Sequence, residues 1–130
     1  MRGIAEHTEA IIERVSRLEC IEGWTLVGGT ALAIQLDHRK SEDLDFMRWQ
    51  THKGERMEVD WPKIRKQLES VGEVRSMDIF DRNHVEFVVA GVKLSFYARE
   101  SKSPVKAPIP FLNHIVLADI DAIAAMKMEV

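Results

Sequence analysis

The stretch that decides the fold runs from Leu26 to Phe46, LVGGTALAIQLDHRKSEDLDF. A short apolar run (Trp24, Leu26, Val27) ends in Gly28-Gly29-Thr30, and a helix-prone segment, Thr30 to Leu36, follows directly. A polar patch, Asp37 to Ser41, leads into Asp43-Leu44-Asp45-Phe46, where charge alternates with apolar residues. Period-two alternation is the mark of a strand. The stretch therefore reads as strand, glycine turn, helix, loop, strand.

Working outward, Ile4, Thr8 (by its methyl), Ile11, Val15 and Leu18 recur at helical spacing, with Ile12 beside them, and predict an amphipathic helix over 4–18. Arg48 to Asp60 reads as a polar loop. Asp60-Trp61-Pro62 is a helix start, with Asp as N-cap and Pro in the first turn. That helix should carry Ile64 and Leu68 inward, run to about Val71 and end at Gly72. Val74–Phe80 alternates weakly. His84–Ala90 and Val92–Ala98 flank Gly91 as a hairpin. Ser101 to Pro110, with three prolines, reads as a loop, Ile115–Leu117 as a short strand, and Asp119 as the start of a last helix. Helices and strands in this order predict an α/β (α+β) protein, a mixed β-sheet flanked by helices.

The chain's 130 residues fit one domain, 45% apolar and 30% charged, as in ordinary globular proteins. A net charge of -3 argues against a strongly basic nucleic-acid binder but leaves room for a local basic groove. Arg48, Lys53, Arg56, Lys63, Arg65 and Lys66 either line such a groove or form a solvated face, the second being the simpler reading. Cys20 is the only cysteine, which excludes an internal disulfide and a four-cysteine zinc site. The expected setting is reducing and cytoplasmic, with no signal peptide and no membrane-spanning run. The final DIDAIAAMKMEV stops without a helix-ending signal and reads as a truncated chain or a frayed natural end.

Gly28 and Gly29 let the backbone approach a ligand closely. Between a strand and a helix they aim free N–H groups at an anion, for which a triphosphate is the natural candidate, and Thr30 adds a hydroxyl. A tight turn with no ligand is the plain alternative. Asp43 and Asp45, two apart on a strand, should send both carboxylates from one face. Such a pair suits a divalent cation, Mg²⁺ above all, which takes oxygen ligands and bridges to phosphates. Otherwise it is a solvated strand edge. Together, cradle and acid pair supply what phosphoryl-type transfer needs, positioning and charge stabilisation. His7, His52, His84 and His114 lack metal spacing.

Gly28-Gly29-Thr30 with Asp43-Leu44-Asp45 resembles the signature of the nucleotidyltransferase superfamily related to DNA polymerase beta. The fuller string, Val27 to Leu32 and then His38-Arg39-x-Ser41-x-Asp43-Leu44-Asp45-Phe46, resembles its AbiEii/AbiGii toxin branch. The resemblance implies the polymerase beta-like fold and a transfer of a nucleoside monophosphate from a nucleoside triphosphate to an RNA (such as tRNA) or protein hydroxyl. It implies Mg²⁺, with Mn²⁺ as an alternative, on Asp43 and Asp45. Gly28, Gly29 and Thr30 would lie on the nucleotide phosphates, and Arg39 and Ser41 would contact phosphate or brace the Asp loop. For Arg39 a salt bridge to Asp43 or Glu42 is the competing role. Lys127 matches a lysine the family keeps on the helix after the sheet, and it shares a helical stripe with Ile120, Ile123 and Val130. An antitoxin is the implied partner.

Two departures stand out. Superfamily members often carry a third carboxylate on a later strand, where this chain has Ser95, with Glu86 as a substitute from the partner strand. The family also continues beyond the lysine helix, where this chain stops. The rival expectations are a catalytically weak nucleotide-binding regulatory module on the same fold and a purely structural or partner-binding domain.

Overall fold

A computed structural model describes residues 3–37 and 39–128. Its elements are α1 (Glu6–Ser16), β1 (Thr25–Val27), α2 (Gly28–Leu36), β2 (Leu44–Gln50), α3 (Trp61–Leu68), β3 (Val74–Asp81), β4 (His84–Val89), β5 (Val92–Lys102), β6 (Ile109–Leu112), β7 (Ile115–Leu117) and α4 (Ile120–Met128). The strands form one seven-stranded sheet in the order β3-β4-β5-β2-β1-β7-β6. β1 runs antiparallel to β2 and parallel to β7, and β2 runs parallel to β5, so the sheet is mixed, as expected.

Residues directly opposite one another across strands share a face of the sheet. One face is apolar. Leu26 pairs with Phe46, Phe46 with Phe96, and Phe96 with Val85, and each is at most 1% exposed. The rings of Phe46 and Phe96 stack at 5.3 Å, while Trp24 and Phe87 meet Phe96 edge-on at 5.2 Å and 5.9 Å. α1 adds Ile11, Ile12 and Val15 to this core, and α3 adds Ile64 and Leu68.

The opposite face carries a polar row. Val27 pairs with Asp45, Asp45 with Ser95, Ser95 with Glu86, and Glu86 with Asp78. Period-two alternation thus sends Phe46, Phe87 and Phe96 to the core and Asp45, Ser95 and Glu86 to the other side.

Local signals hold where the physics is local. Asp60 caps α3, its carboxylate accepting the Lys63 N–H at 3.3 Å, with Pro62 in the first turn. Four expectations need correction. Ile4 precedes α1 and instead makes a parallel bridge with Ser41. β2 continues to Gln50, into the expected loop. Asp43 lies just before β2, not in it. The segment read as a loop contains the end of β5 and the start of β6, with Pro110 paired to Val116. β6 is one of the sheet's two edge strands, where a missing N–H is tolerated.

Phe96 touches three aromatic partners and is fully buried, so Phe96→Ala should cost about 3–5 kcal/mol. Urea denaturation with an unchanged m-value checks it.

Candidate active site

The site forms where β1 hands over to α2. Gly28 makes the turn at φ +71°, a conformation that favours glycine. A Cβ there would lie 2.8 Å from Asp45 Oδ2, so the Gly28 backbone is pressed against that carboxylate. A Cβ on Gly29 would lie 2.7 Å from Arg39 Nη2 and 3.7 Å from Ser41 Oγ. The structure therefore brings Gly28, Gly29, Arg39, Ser41 and Asp45 into one neighbourhood. The Arg39 guanidinium lies over the start of α2, where open amides and the helix dipole already favour an anion.

The loop carrying Asp43 is held residue by residue. Ser41 N–H donates to the Gly3 carbonyl at 2.9 Å, and Ala5 N–H donates to the Ser41 carbonyl at 2.9 Å. The Thr8 hydroxyl donates to the Glu42 carbonyl at 2.6 Å. The Thr30 hydroxyl bonds both the Asp43 carbonyl and, at 2.7 Å, Ser41 Oγ. A hydroxyl has one proton. Thr30 therefore donates to the carbonyl and accepts from Ser41. Thr30 is 1% exposed, so its hydroxyl is committed to bracing this loop. Ser41 braces as well. Thr8, read from sequence only for its methyl, is a positioning residue that the helical pattern concealed.

Asp45 ionises less readily than an ordinary carboxyl. Burial is the largest cause, followed by the Asp43 charge and, more weakly, by Glu86. A hydrogen bond from Ser95 and the charge of Lys93 act in the opposite direction. Lys93 Nζ stands 3.9 Å from Asp43 Oδ2, both side chains about half exposed. Lys93 was not singled out in the sequence, although its place two residues before Ser95 puts it on the same face of β5. Glu86, one strand beyond Ser95, is bonded to His84 Nε2 at 3.2 Å.

Among the described residues, no three His, Cys, Asp or Glu side chains cluster to hold a metal ion. The donor set nonetheless fits Mg²⁺, which uses one or two carboxylates and takes its remaining ligands from water and phosphate. Two coupled carboxylates, one half-buried and reluctant to ionise, are the electrostatic complement of such a cation. His38 lies outside the described residues. Lys127 falls in α4, one turn after buried Ile123, and its side chain lies outside the described part.

The basic residues of 48–66 are largely engaged with acids. Arg48 pairs with Glu55, Arg56 with Glu58, Lys63 with Glu19 and Arg65 with Glu69. That favours the solvated-face reading over a groove. Cys20 is buried, its thiol pushed up to about 11, mainly by burial, which disfavours the thiolate.

A glycine turn opening a helix against an aspartate on the neighbouring strand of a mixed sheet belongs to the nucleotidyltransferase fold. Two solved Helicobacter pylori structures share it. A candidate nucleotidyltransferase superposes with a TM-score of 0.55 at 16% identity, covering 95% of this chain and 55% of its own. JHP933 gives 0.55 at 17%, covering 96% and 57%. An uncharacterized protein of Aquifex aeolicus (strain VF5) is 29% identical over 97 residues, 75% of this chain and 44% of that protein. The chain thus spans about half the length of these relatives. Residues 10–128 match the family described as nucleotidyl transferase AbiEii toxin, type IV TA system, and the chain belongs to that family. No helix among the described residues is long and apolar enough to cross a membrane.

Two predictions follow from the geometry. Thr30→Val keeps the shape but strips the Asp43 carbonyl of its donor, costing about 1–3 kcal/mol in denaturant unfolding. The second concerns pH. A carboxyl whose folded-state pKa is raised above its ordinary 3.8 makes the fold lose stability as pH climbs through that interval. In chelator, Asp45→Asn should therefore melt above wild type at neutral pH, the gap closing as pH falls below about 3.8. Added Mg²⁺ should raise the melting temperature of wild type alone.

Proposed function

We propose that this chain carries the catalytic centre of a Mg²⁺-dependent nucleotidyltransferase. It would move a nucleoside monophosphate from a nucleoside triphosphate to an acceptor hydroxyl. The acceptor hydroxyl gives up its proton to solvent, its oxygen bonds to the α-phosphorus, the bond from the α-phosphorus to the α–β bridging oxygen breaks, and pyrophosphate leaves. The observation that supports this reading is the closeness of the glycine turn to the acid, since a Cβ on Gly28 would lie 2.8 Å from Asp45 Oδ2.

Gly28, Gly29 and Arg39 would hold the phosphates, and Thr30 and Ser41 would keep the Asp43 loop in place. Asp43 and Asp45 would hold Mg²⁺ (or Mn²⁺), which supplies neutralisation of the phosphate charge. Lys127 is proposed as a further contact to the nucleotide. The acceptor would be RNA, tRNA included, or a protein side chain. The setting would be a growth-arresting toxin checked by an antitoxin in the cytoplasm. Membership of a type IV toxin family supports that role.

A second reading has its own observation. Ser95, not an acid, stands directly beside Asp45, which favours a module that binds nucleotide and transfers slowly or not at all. Calorimetry with Mg²⁺ and each nucleoside triphosphate should show binding that Asp43→Asn and Asp45→Asn each weaken at least tenfold. Undiminished binding in those variants would sink the metal assignment. Incubation with α-³²P-labelled triphosphate and cell extract should then label RNA or protein. Binding without labelling would select the module.

A further inference from the structure

The face of the sheet that bears Asp45 does not end at the polar row. Two residues along β5 from Ser95, about 7 Å on, stands Tyr97, paired with Met47 on one side and His84 on the other. The ring of His84 lies 5.1 Å from that of Tyr97, and Phe80 stacks on His84 at 4.8 Å with an interplanar angle of 24°. Phe80 is 60% exposed, the most open large apolar side chain among the described residues. A ring that covers one face of its neighbour and stays this open offers its other face to a ligand. At the other end of the stack, the Arg99 guanidinium carbon sits 6.0 Å from the Tyr97 centroid. A polar cavity of about 360 Å³ opens beside Tyr97 and Arg99, walled by Arg82 and Asn83 of the β3–β4 turn and by Asp81 and Glu100.

A row of π-faces ending in a guanidinium is the chemistry that holds unpaired bases and their phosphates. The strand order gives its direction. The cradle of Gly28 and Gly29 lies on the β1 side of Asp45, and the stack lies on the opposite side, over β5, β4 and β3. In an in-line displacement the attacking oxygen enters opposite the leaving group. If pyrophosphate leaves toward the cradle, the acceptor arrives over the stack. We infer that Phe80, His84 and Tyr97, with Arg99, form a stacking platform for the unpaired end of a single-stranded RNA acceptor. This inference rests on the nucleotidyltransferase reading for its orientation, and it narrows that reading to a nucleic-acid acceptor seated by base stacking.

The test is fluorescence anisotropy with a labelled single-stranded oligoribonucleotide and no triphosphate, beside a duplex of the same sequence. Wild type should prefer the single strand. Phe80→Ala, at an exposed position where folding is not at stake, should weaken binding about tenfold. Tyr97→Phe keeps the ring and should bind within about twofold of wild type, whereas Tyr97→Ala should bind more weakly. Asp45→Asn should keep oligonucleotide binding while losing transfer, which separates this inference from the underlying one. Equal binding by wild type, Phe80→Ala and Tyr97→Ala would overturn the platform. So would equal affinity for the duplex, or labelling of a protein by a wild type that does not bind the oligonucleotide. Loss of triphosphate binding with intact oligonucleotide binding would instead overturn the transferase reading and leave the platform standing.

Discussion

Asp43 and Asp45 repel each other, and the chain keeps them together by fastening the backbone of the loop between α2 and β2. Three successive residues are tied to three different parts of the protein. Ser41 is paired with the Gly3–Ala5 arm, Glu42 is held by Thr8 of α1, and Asp43 by Thr30 of α2. Each such bond is worth only about 0.5–1.5 kcal/mol net. Acting on consecutive residues, they leave the loop little freedom to splay. The arm that supplies Gly3 is itself locked in place, since a Cβ on Gly3 would lie 2.5 Å from the Ala33 carbonyl oxygen of α2. The site is thus a property of α1, α2 and the arm together, although its charged atoms come from one short stretch.

This arrangement explains what the sequence could and could not disclose. Gly28-Gly29 and the alternation after Asp43 are local, and their reading survives in the turn at Gly28 and in β2. The Asp60 cap is local too. Thr8 was opaque because helical periodicity sees only whether a residue can be buried, and Thr8 is buried for the sake of its hydroxyl. Asp43 falls just before β2, its carbonyl bonded to the Thr30 hydroxyl of α2, a contact from outside the local pattern. β6 was hidden by Pro110, which reads as a breaker until the topology shows an edge strand. Lys93 became meaningful only when the parallel pairing of β2 and β5 brought it beside Asp43, a contact that no local pattern encodes.

The two faces of the sheet separate apolar packing from charge. One face carries Phe46, Phe87 and Phe96 in mutual contact and supplies the core. The other holds a row in which Asp45 is desolvated beside a second carboxylate, an arrangement that on its own weakens the folded state. Such local conflict is what functional sites show when the rest of a protein obeys its patterning. The apolar face can sustain it because the two sets of residues alternate along the same strands.

Ser95 then takes on a definite electrostatic meaning. An acid at that register position would set a third negative charge directly beside Asp45, adding to the burden that burial and Asp43 already impose. A hydroxyl there does the reverse, donating a hydrogen bond that favours the charged form. Lys93, two residues earlier on β5, assists from the Asp43 side, but loosely. At 3.9 Å and half exposed, that pair contributes little and gives way readily. A cation bound between the aspartates would therefore displace a weak partner from Asp43 and meet a carboxylate at Asp45 whose charged form the Ser95 hydrogen bond favours. With two acids, a hydroxyl and a displaceable lysine, the site holds its charge without a third acid. Ser95 beside Asp45 is then electrostatically compatible with the binding of a cation there.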